Sequence, residues 1–292
     1  MCMITIFTPT YNRAYIIENL YHSLLKQTYK NFEWLIVDDG STDDTKTKVE
    51  KWIEDDLITI NYIYQENGGK HRAYNKGVNN AKGELFFTVD SDDYLPNNSL
   101  AIVAKQYEYI RDNQDFAGVC GCRFYPNGKR IGGELGFDVR ECSQFELRYK
   151  DQVKGDMADV VRTEVLRKFP FPEIEGEKFC TEAMIFDKIA AKYKIRYFNR
   201  NIYVCEYLPD GLTAKMTKVR MESPKTSTLY YAQLSRMPVP VLYRFKAYIN
   251  YWRFCFCIDD SFLSKLKNIS ICSLFFYPIG LLMHLNDKKA IK

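Results

Sequence analysis

The chain has 292 residues, 46% of them hydrophobic, which is enough for one large α/β domain or for a domain with an appendage. The formal net charge of +4 is modest and the early part of the chain carries no dense basic stripe, which argues against a nucleic-acid-binding protein. The nine cysteines lack paired CxxC spacing and suit neither a zinc knuckle nor a small disulfide scaffold. The N-terminus runs directly into a predicted strand without a signal-peptide pattern, so we expect reduced thiols and a cytoplasmic chain.

Strands and helices are predicted to alternate over the first 125 residues. Runs of aromatic and β-branched residues predict five strands, at residues 3–8, 32–37, 57–64, 84–89 and 116–124. Apolar residues at helical spacing predict four helices between them, at residues 16–28, around 49–53, at 72–81 and at 100–110. Ser41–Asp44 resembles a capping box for the second helix, with Ser41 as the N-cap. The alternation predicts an α/β fold with a mostly parallel central sheet and helices on both faces.

Beyond Arg123 the predicted alternation is less regular. Pro126–Lys129 has the composition of a hairpin turn. Short strands are predicted at residues 155–161, 195–198 and 202–207, and helices at 164–168 and 182–193. No internal repeat or low-complexity linker interrupts the chain before about Lys215. We therefore predict one α/β domain over residues 1–214, with halves at 1–125 and 126–214, followed by a helical, aromatic-rich extension over 215–292.

The C-terminal extension has the composition of a segment that contacts a membrane surface. Residues 239–258 are dense in aromatic and basic side chains, and residues 268–285 contain no Asp, Glu, Lys or Arg. This uncharged run just reaches the roughly 18 residues that a spanning helix requires. It nevertheless contains Asn, Ser, Pro and His and is flanked by lysines, a pattern that favours an interfacial segment over a spanning one. The alternative is a helical pair that packs on the rest of the chain or on a second subunit.

Residues 86–93 combine an apolar run with three carboxylates directly after it. The run predicts a buried strand, so the acids lie at its C-terminal end, where open α/β sheets bind ligands. Asp90 and Asp92 are spaced so that both carboxylates could reach one hard divalent cation, which prefers oxygen ligands. Such a cation could hold a diphosphate and stabilise it as a leaving group. The alternative is structural, because Asp93 and residues 97–99 could cap the following helix.

Two further strands also end in polar loops. Pro9–Arg13 follows the first strand, and Asp38–Gly40 follows the second. We call residues 90–93, which follow the fourth predicted strand, the acidic loop. Because the carboxyl ends of parallel strands meet at one edge of a sheet, we expect all three loops to form one site. The sequence has no GxGxxG after the first strand, no P-loop and no GxSxG, and its three histidines are scattered. The expected chemistry is therefore that of carboxylates and oxygen ligands.

Six short segments, in this order, carry a more specific pattern. They are residues 7–13 (FTPTYNR), 34–43 (WLIVDDGSTD), 67–69 (NGG), 75–77 (NKG), 81–84 (AKGE) and 89–93 (VDSDD). Together they resemble the family-2 inverting glycosyltransferases, which have the A-type, nucleotide-diphospho-sugar transferase fold. The resemblance covers roughly the first 125 residues. It implies that residues 1–125 bind a nucleotide sugar and that residues 126–214 bind the acceptor.

The resemblance also implies roles for single residues. Thr8, Pro9 and Tyr11 would line the nucleotide base, and Asp38 or Asp39 would accept hydrogen bonds from uracil or ribose. Asp90 and Asp92 match the family's Asp-x-Asp motif, which implies a Mg²⁺ or Mn²⁺ ion on the diphosphate, with Asp90 also close to the sugar or ribose. The residues expected to bind the nucleotide sugar are Thr8, Pro9, Tyr11, Arg13, Asp38, Asp39, Asn67, Gly69, Lys70, Asn75, Lys76, Asp90 and Ser91.

The segment after Gly69 departs from the commoner family pattern. Lys70 and His71 stand where small residues usually follow the two glycines, so either side chain could approach the diphosphate or simply lie at a solvated helix N-terminus. Tyr74 stands where many family members carry an arginine, and Lys76 or Arg72 could substitute for that contact.

An inverting transfer requires a base that takes the proton of the acceptor hydroxyl. By resemblance, a carboxylate at the start of a helix in the second half of the domain has this role, and Glu182 matches its position. Glu175, Glu177 and Asp187 are alternatives, and Glu182 could instead be an acid favoured by the helix dipole. Residues 207–213 resemble a segment that follows the catalytic helix in some bacterial members.

We therefore expect a metal-dependent inverting glycosyltransferase that uses a nucleotide sugar, UDP-linked by preference, and acts on a glycan or a lipid-linked acceptor. The resemblance implies a role in bacterial surface-polysaccharide synthesis. From the composition of residues 239–292 we expect contact with the inner face of the cell membrane, with a homodimer as the alternative. The alternatives are a sugar-phosphate nucleotidyltransferase and a nucleotide-sugar-binding protein without turnover. We expect no nucleic-acid partner.

Overall fold

The computed structural model describes residues 2–205 and 216–291. The chain forms two compact units, one of residues 1–170 with 192–208 and one of residues 171–191 with 209–292. We call them the sheet unit and the helical unit. The boundary predicted near Lys215 stays a prediction, and the segment 207–213 lies outside the described residues.

The sheet unit is built on one mixed sheet of eight strands in the order β3-β2-β1-β4-β7-β5-β8-β6. The strands are β1 (Ile4–Thr10), β2 (Phe32–Asp38), β3 (Ile60–Tyr64), β4 (Leu85–Thr88), β5 (Phe116–Phe124), β6 (Val139–Cys142), β7 (Met157–Arg162) and β8 (Lys194–Val204). The first four strands in this order are parallel, and β5 is parallel to β8. β7 runs antiparallel to β4 and β5, and β6 runs antiparallel to β8. The predicted α/β class with a mostly parallel central sheet is confirmed.

The helices follow the predicted alternation. In the sheet unit they are α1 (Glu18–Leu25), α2 (Thr45–Glu54), α3 (Lys70–Asn80), α4 (Ser99–Glu108) and α5 (Thr163–Arg167), with a π-helical turn at Glu146–Lys150. In the helical unit they are α6 (Ala183–Ala190), α7 (Met216–Glu222), α8 (Pro224–Leu234), α9 (Val241–Cys255), α10 (Phe262–Lys267), a 3-10 helix at Ile271–Phe276 and α11 (Tyr277–Ile291). The predicted helical extension is thus present.

Neighbouring residues of β1 and β2 face helices on opposite sides of the sheet. Trp34 stands beside Ile6 in the register and lies 5.8 Å from Trp52 of α2, measured between ring centroids. The adjacent Phe7 points the other way and lies 5.4 Å from Tyr74 of α3. Successive side chains of a strand point to opposite faces, and both strands are buried, so their apolar runs cover both faces of the sheet.

One predicted pair of strands differs from the structure, and two short elements were missed. The strands predicted at 195–198 and 202–207 belong, as far as Val204, to one strand, β8, which pairs with β5 through register shifts. Residues 206 and 207 lie outside the described residues. β6 was not predicted, because the sequence Val139–Cys142 has little apolar character and both Val139 and Glu141 are exposed. The π-helical turn was also not predicted.

Ser41 is not the N-cap of α2, so that prediction was wrong. The helix begins at Thr45, and the Ser41 hydroxyl accepts a hydrogen bond from the Asn12 N–H at 2.8 Å. Asp43 instead accepts hydrogen bonds from the Thr45 N–H at 3.1 Å and the Thr45 hydroxyl at 2.6 Å. The Ser41 side chain therefore bonds to the loop after β1, although local spacing predicted that it would cap α2.

The helical unit has its own aromatic core. Trp252 is buried on α9, and its indole N–H donates to the Ser273 hydroxyl and carbonyl, each at 3.1 Å. A Cβ atom on Gly280 would lie 2.7 Å from the Trp252 Cβ, so glycine allows α11 to pack closely on α9. Among the residues that the structure describes, no helix is both long enough and apolar enough to cross a bilayer.

Candidate active site

Three loops of the sheet unit follow the carboxyl ends of adjacent parallel strands. In the register, Thr10 at the end of β1 stands beside Asp38 at the end of β2, and Phe7 stands beside Thr88 at the end of β4. The Val89 N–H donates to the Phe7 carbonyl at 2.8 Å, which carries the pairing one residue further toward the acids. The topology thus brings the loops after β1, β2 and β4 to one edge of the sheet.

The loops after β1 and β2 are tied together by side-chain hydrogen bonds. The Asn12 amide oxygen accepts from the Thr42 N–H at 2.8 Å, which complements the bond from the Asn12 N–H to Ser41. Asn12 has a φ of 53°, a left-handed conformation that asparagine tolerates better than most residues. Asp43 also accepts from the Ala14 N–H at 2.9 Å. These bonds fix the position of Tyr11, whose side chain is 48% exposed, and of the half-buried Arg13.

Asp38 is fully buried at the end of β2. One of its carboxylate oxygens accepts from the Ser41 N–H at 2.7 Å, and the other accepts from the Tyr62 hydroxyl at 2.6 Å. Each oxygen has a second lone pair, so the carboxylate can still accept a hydrogen bond from a ligand. The geometry therefore gives Asp38 a turn-forming role, and contact with a base or ribose donor stays a prediction.

Asp39 holds the Asn67–Gly69 turn. One oxygen accepts from the Gly68 N–H at 2.9 Å and the Gln65 amide at 2.7 Å, and the other accepts from the Gly69 N–H at 2.8 Å and the Asn67 amide at 3.2 Å. Four protein donors occupy both oxygens of this buried carboxylate. Asp39 positions the turn that precedes α3, and Gly69 itself adopts a φ of 97° there.

The acidic loop after β4 contains an ion pair. The Lys70 ammonium, at the start of α3, lies 2.7 Å from one oxygen of Asp90, whose side chain is 30% exposed. Burial by itself raises the pKa of Asp90, but the charges of Lys70 and Arg123 outweigh it and hold the pKa below its usual range. Lys70 is thus the first residue of α3 and lies against the acidic loop, with 37% of its side chain still exposed.

Asp92 differs from Asp90 in its surroundings. Its side chain is half-buried, and none of the described side chains donates a hydrogen bond to its carboxylate. Burial, and then the negative charge of Asp90, raise the pKa of Asp92. A cation beside Asp92 would relieve both effects.

Two residues from distant strands complete the acidic loop. The Tyr203 hydroxyl, on β8, accepts from the Asp90 N–H at 3.0 Å and donates to the buried Asp93 carboxylate at 2.6 Å. The Arg123 guanidinium lies over the Tyr203 ring, 4.2 Å from its centroid. Burial raises the pKa of Tyr203, which keeps this hydroxyl protonated as a donor. The sequence analysis did not identify either residue. Arg123 could have been found, because a charged residue near the end of a buried strand indicates a site at that edge of the sheet.

Several predicted nucleotide-binding residues have structural contacts. The Thr8 hydroxyl is buried and accepts from the Trp34 indole at 2.9 Å. Tyr74 is buried against Phe7 and Phe86. Pro9, Asn75 and Lys76 are half-buried, and Ser91 is buried in the acidic loop.

The acidic loop offers two carboxylates, which is enough for a cation whose remaining ligands are water and substrate phosphates. Among the described residues, no group of three His, Cys, Asp or Glu side chains forms a metal site. Asp92 offers a carboxylate to which no side chain of the described residues donates, and Asp90 offers the oxygen that Lys70 does not hold. Mg²⁺ keeps several waters and binds through one or two carboxylates together with substrate phosphates, so these residues fit such an ion.

The candidate bases lie in the helical unit. Glu182 immediately precedes α6 and is exposed, and Glu175 is also exposed. Glu177 is buried, and its carboxylate accepts from the N–H groups of Lys225 at 2.6 Å and Thr226 at 2.7 Å, which occupies it at the start of α8. Burial raises the pKa of Asp187, within α6, to about 7.

Comparison with known proteins supports the predicted family. The family model described as Glycosyl transferase family 2 matches residues 5–171, more than half of the chain. Glycosyltransferase GlyG of Streptococcus pneumoniae is 29% identical over 224 residues, which cover 69% of this chain and 70% of that protein.

Two solved structures share the fold. S. aureus TarS, crystallised in complex with UDP-GlcNAc, matches with a TM-score of 0.64 and 20% identity over 87% of this chain and 72% of that one. The mannosyltransferase PcManGT of Pyrobaculum calidifontis, in complex with GDP-Man and Mn²⁺, matches with a TM-score of 0.55 and 18% identity over 97% of this chain and 74% of that one. At these identities the likeness concerns the fold.

Proposed function

The chain belongs to glycosyltransferase family 2, and we propose that it is a metal-dependent, inverting enzyme that transfers a sugar from a UDP-sugar to a hydroxyl of a glycan or a lipid-linked acceptor. The observation that carries the proposal is the acidic loop after β4. There Asp92 has no described side-chain donor, while Lys70 and Arg13 place positive charge around the pair of acids. A site with both signs of charge suits a metal-bound diphosphate.

The nucleotide half of the donor would lie at the ends of β1 and β2. The fixed loops present the exposed Tyr11 ring, and Asp38 retains capacity to accept a hydrogen bond. An N–H of uracil or a ribose hydroxyl could donate to it. Asp39 acts on the donor indirectly, because it shapes the turn that carries Gly69 and Lys70.

The diphosphate would lie beside the acidic loop. Mg²⁺ or Mn²⁺ bound by Asp92 and Asp90 would neutralise the negative charge that builds up on the departing diphosphate. Lys70 and Arg13 would add positive charge on the same side, since the charges of both act on Asp90 and Asp92. Tyr203 would hold the Asp90 backbone so that its carboxylate keeps its position.

Glu182 would act as the general base. Its carboxylate would take the proton of the acceptor hydroxyl while that oxygen bonds to the anomeric carbon and the bond to the diphosphate breaks, which inverts the anomeric centre. Exposure at the start of α6 supports this role. Glu177 is a weaker candidate because its oxygens already hold the start of α8.

The test is donor hydrolysis and transfer across a panel of UDP- and GDP-sugars, with and without a chelator. We expect activity with a UDP-sugar that chelation abolishes and that Asp92→Asn lowers at least a hundredfold, since an interaction with the leaving group is lost. Asp112→Asn, an exposed acid of the sheet unit, is the matched control and should retain activity. Full activity after chelation and in Asp92→Asn would rule out the metal role.

Glu182→Gln separates binding from catalysis. We expect it to bind the donor normally, by calorimetry, and to lose transfer by about a hundred- to ten-thousandfold, the usual contribution of a general base. Glu222→Gln, at an exposed acid of the helical unit that is not a candidate base, is the control and should retain transfer. Unchanged turnover in Glu182→Gln would assign the base to another residue.

A further inference from the structure

Exposed apolar side chains are concentrated near the C-terminus. Of the twenty large hydrophobic side chains that are exposed in the described residues, eleven lie between Val241 and Leu285. Only one of these eleven is a tyrosine. In the sheet unit, by contrast, five of the eight are tyrosines, whose hydroxyl groups suit contact with water. The C-terminal helices therefore expose purely hydrocarbon surface to an unusual degree.

Four of these side chains, three on α11 and one in the 3-10 helix directly before it, make up what we call the apolar stripe. It consists of Phe275, Ile279, Leu282 and Leu285, which are 84%, 44%, 63% and 46% exposed. Ile279, Leu282 and Leu285 are spaced three residues apart on α11 and lie on one face of that helix. Phe275 precedes them in the 3-10 helix that leads into α11.

The opposite face of α11 packs on α9. Gly280 lies against Trp252, and His284 is buried 5.5 Å from the Phe256 ring, measured between ring centroids. Asp287, on the same inner side, pairs with Arg253 at 2.7 Å. The apolar stripe is thus directed away from the core of the helical unit.

Positive charge accompanies the stripe. Lys289 lies four residues after Leu285 and continues its line, with Lys288 next to it, and both are exposed. Residues 239–292 contain eight Lys or Arg and three Asp or Glu, a net charge of +5. The remaining residues, 1–238, contain 33 basic and 34 acidic residues, a net charge of −1. The basic character of the whole chain therefore comes from the segment that also carries the stripe.

We propose that the apolar stripe, with Lys288 and Lys289, binds the surface of a membrane that contains anionic lipids. Apolar side chains would enter the boundary between headgroups and acyl chains, and the lysines would contact lipid phosphates. α11 would lie in the plane of the interface. A second copy of the chain is the less suitable occupant, because a two-fold contact would bring two segments of net charge +5 together.

The test is flotation of the full chain with lipid vesicles at low ionic strength. We expect binding to phosphatidylcholine vesicles that contain about one third phosphatidylglycerol, and little binding to phosphatidylcholine alone. Added salt should weaken the binding, because it screens the contact between lysines and lipid. No donor or acceptor is present, so the result does not depend on the proposed enzymatic activity.

Matched variants distinguish binding through the apolar stripe from non-specific hydrophobic binding to vesicles. Leu282→Asp should lower the vesicle partition coefficient at least tenfold, whereas Leu57→Asp should not. The two leucines are almost equally exposed, at 63% and 64%, but Leu57 lies in the sheet unit. Lys288→Glu with Lys289→Glu should lower binding by a similar factor, and Lys46→Glu with Lys51→Glu, the same change of charge on α2, should not.

Three results would overturn the proposal. One is the absence of binding to anionic vesicles, and another is binding that Leu282→Asp leaves intact. The third is a stable dimer, seen by light scattering, that Leu282→Asp dissociates, since the stripe would then be covered by a second copy. Circular dichroism of each variant should match the wild type, which shows that the substitution has left the fold unchanged.

Discussion

Single buried polar groups hold the acidic loop in position. The Tyr203 hydroxyl joins the Asp90 backbone to the Asp93 carboxylate, and Asp39 performs a similar function for the turn before α3. Such groups are costly to leave unpaired, so their loss should reduce stability as well as disturb the site. The contribution of Tyr203 can be measured because Tyr197, on the same strand, is a buried tyrosine whose hydroxyl has no hydrogen bond to the described residues.

Tyr203→Phe is expected to lower the free energy of unfolding by about 1–3 kcal/mol, because Asp93 and the Asp90 N–H each lose a buried partner. Tyr197→Phe is the control on the same strand. Its hydroxyl is also buried, but no group among the described residues hydrogen-bonds to it, so the change should be close to zero or slightly stabilising. Urea denaturation of the two variants checks this, and equal losses would contradict the role of Tyr203.

Asp187 should make stability depend on pH. Burial raises its pKa to about 7, so the folded chain keeps a proton that the unfolded chain loses near the ordinary carboxyl pKa. The resulting penalty on folding grows as the pH rises from about 4 to about 7 and is constant above that.

Asp187→Asn removes this penalty. The gain in free energy of unfolding should be larger at pH 8 than at pH 5 by about 1–3 kcal/mol, measured by urea denaturation at both values. Asp112→Asn should show no such difference. A gain that is equal at the two pH values would show that Asp187 does not titrate in this way.

At the scale of elements, the start of α8 is stabilised by a side chain from a distant part of the chain. α8 begins with a proline after Ser223 and has no side-chain cap of its own. Glu177, 49 residues before Thr226, accepts from the Thr226 N–H and hydroxyl at 2.7 and 2.8 Å. A carboxylate at this position satisfies free N–H groups and interacts favourably with the helix dipole.

Glu177→Gln should therefore lower the free energy of unfolding by about 1–3 kcal/mol, as expected for loss of a buried charged acceptor. Glu175→Gln, two residues earlier and exposed, should change it by less than about 0.5 kcal/mol. Thermal unfolding followed by circular dichroism distinguishes them. If both variants unfold like the wild type, Glu177 does not stabilise the start of α8.

At the scale of the whole molecule, the predicted donor site belongs to the sheet unit and the predicted membrane contact belongs to the helical unit. Each can be tested without the other. Ligand binding to the folded state raises stability in proportion to the logarithm of ligand concentration.

UDP with Mn²⁺, at about a hundred times its dissociation constant, should stabilise the chain by about 2.7 kcal/mol. Removal of the metal, or the substitution Asp92→Asn, should abolish most of that gain, while Leu282→Asp should leave it unchanged. Thermal shift with UDP alone, Mn²⁺ alone and both together is the measurement. An equal shift for UDP with and without Mn²⁺ would contradict a shared site.

Local patterns were sufficient to predict much of the protein. Alternating apolar runs indicated the sheet and its helices, and Asp38, Asp39, Asp90 and Asp92 were recognised at strand ends from sequence position. Strand and helix periodicity are local properties, and a parallel topology brings strand ends to one edge regardless of side-chain detail. Family membership followed from the order of short segments in the first 125 residues.

Contacts between distant residues required the folded chain. Tyr203 reaches Asp93 across 110 positions, Lys70 pairs with Asp90, and Ser41 serves the Asn12 loop and not the helix after it. In the same way, the Glu177 carboxylate accepts hydrogen bonds from N–H groups at the start of α8, a contact that sequence spacing did not predict. A side-chain hydrogen bond depends on the relative placement of two elements to within a few tenths of an ångström, whereas periodicity records only which face each residue occupies.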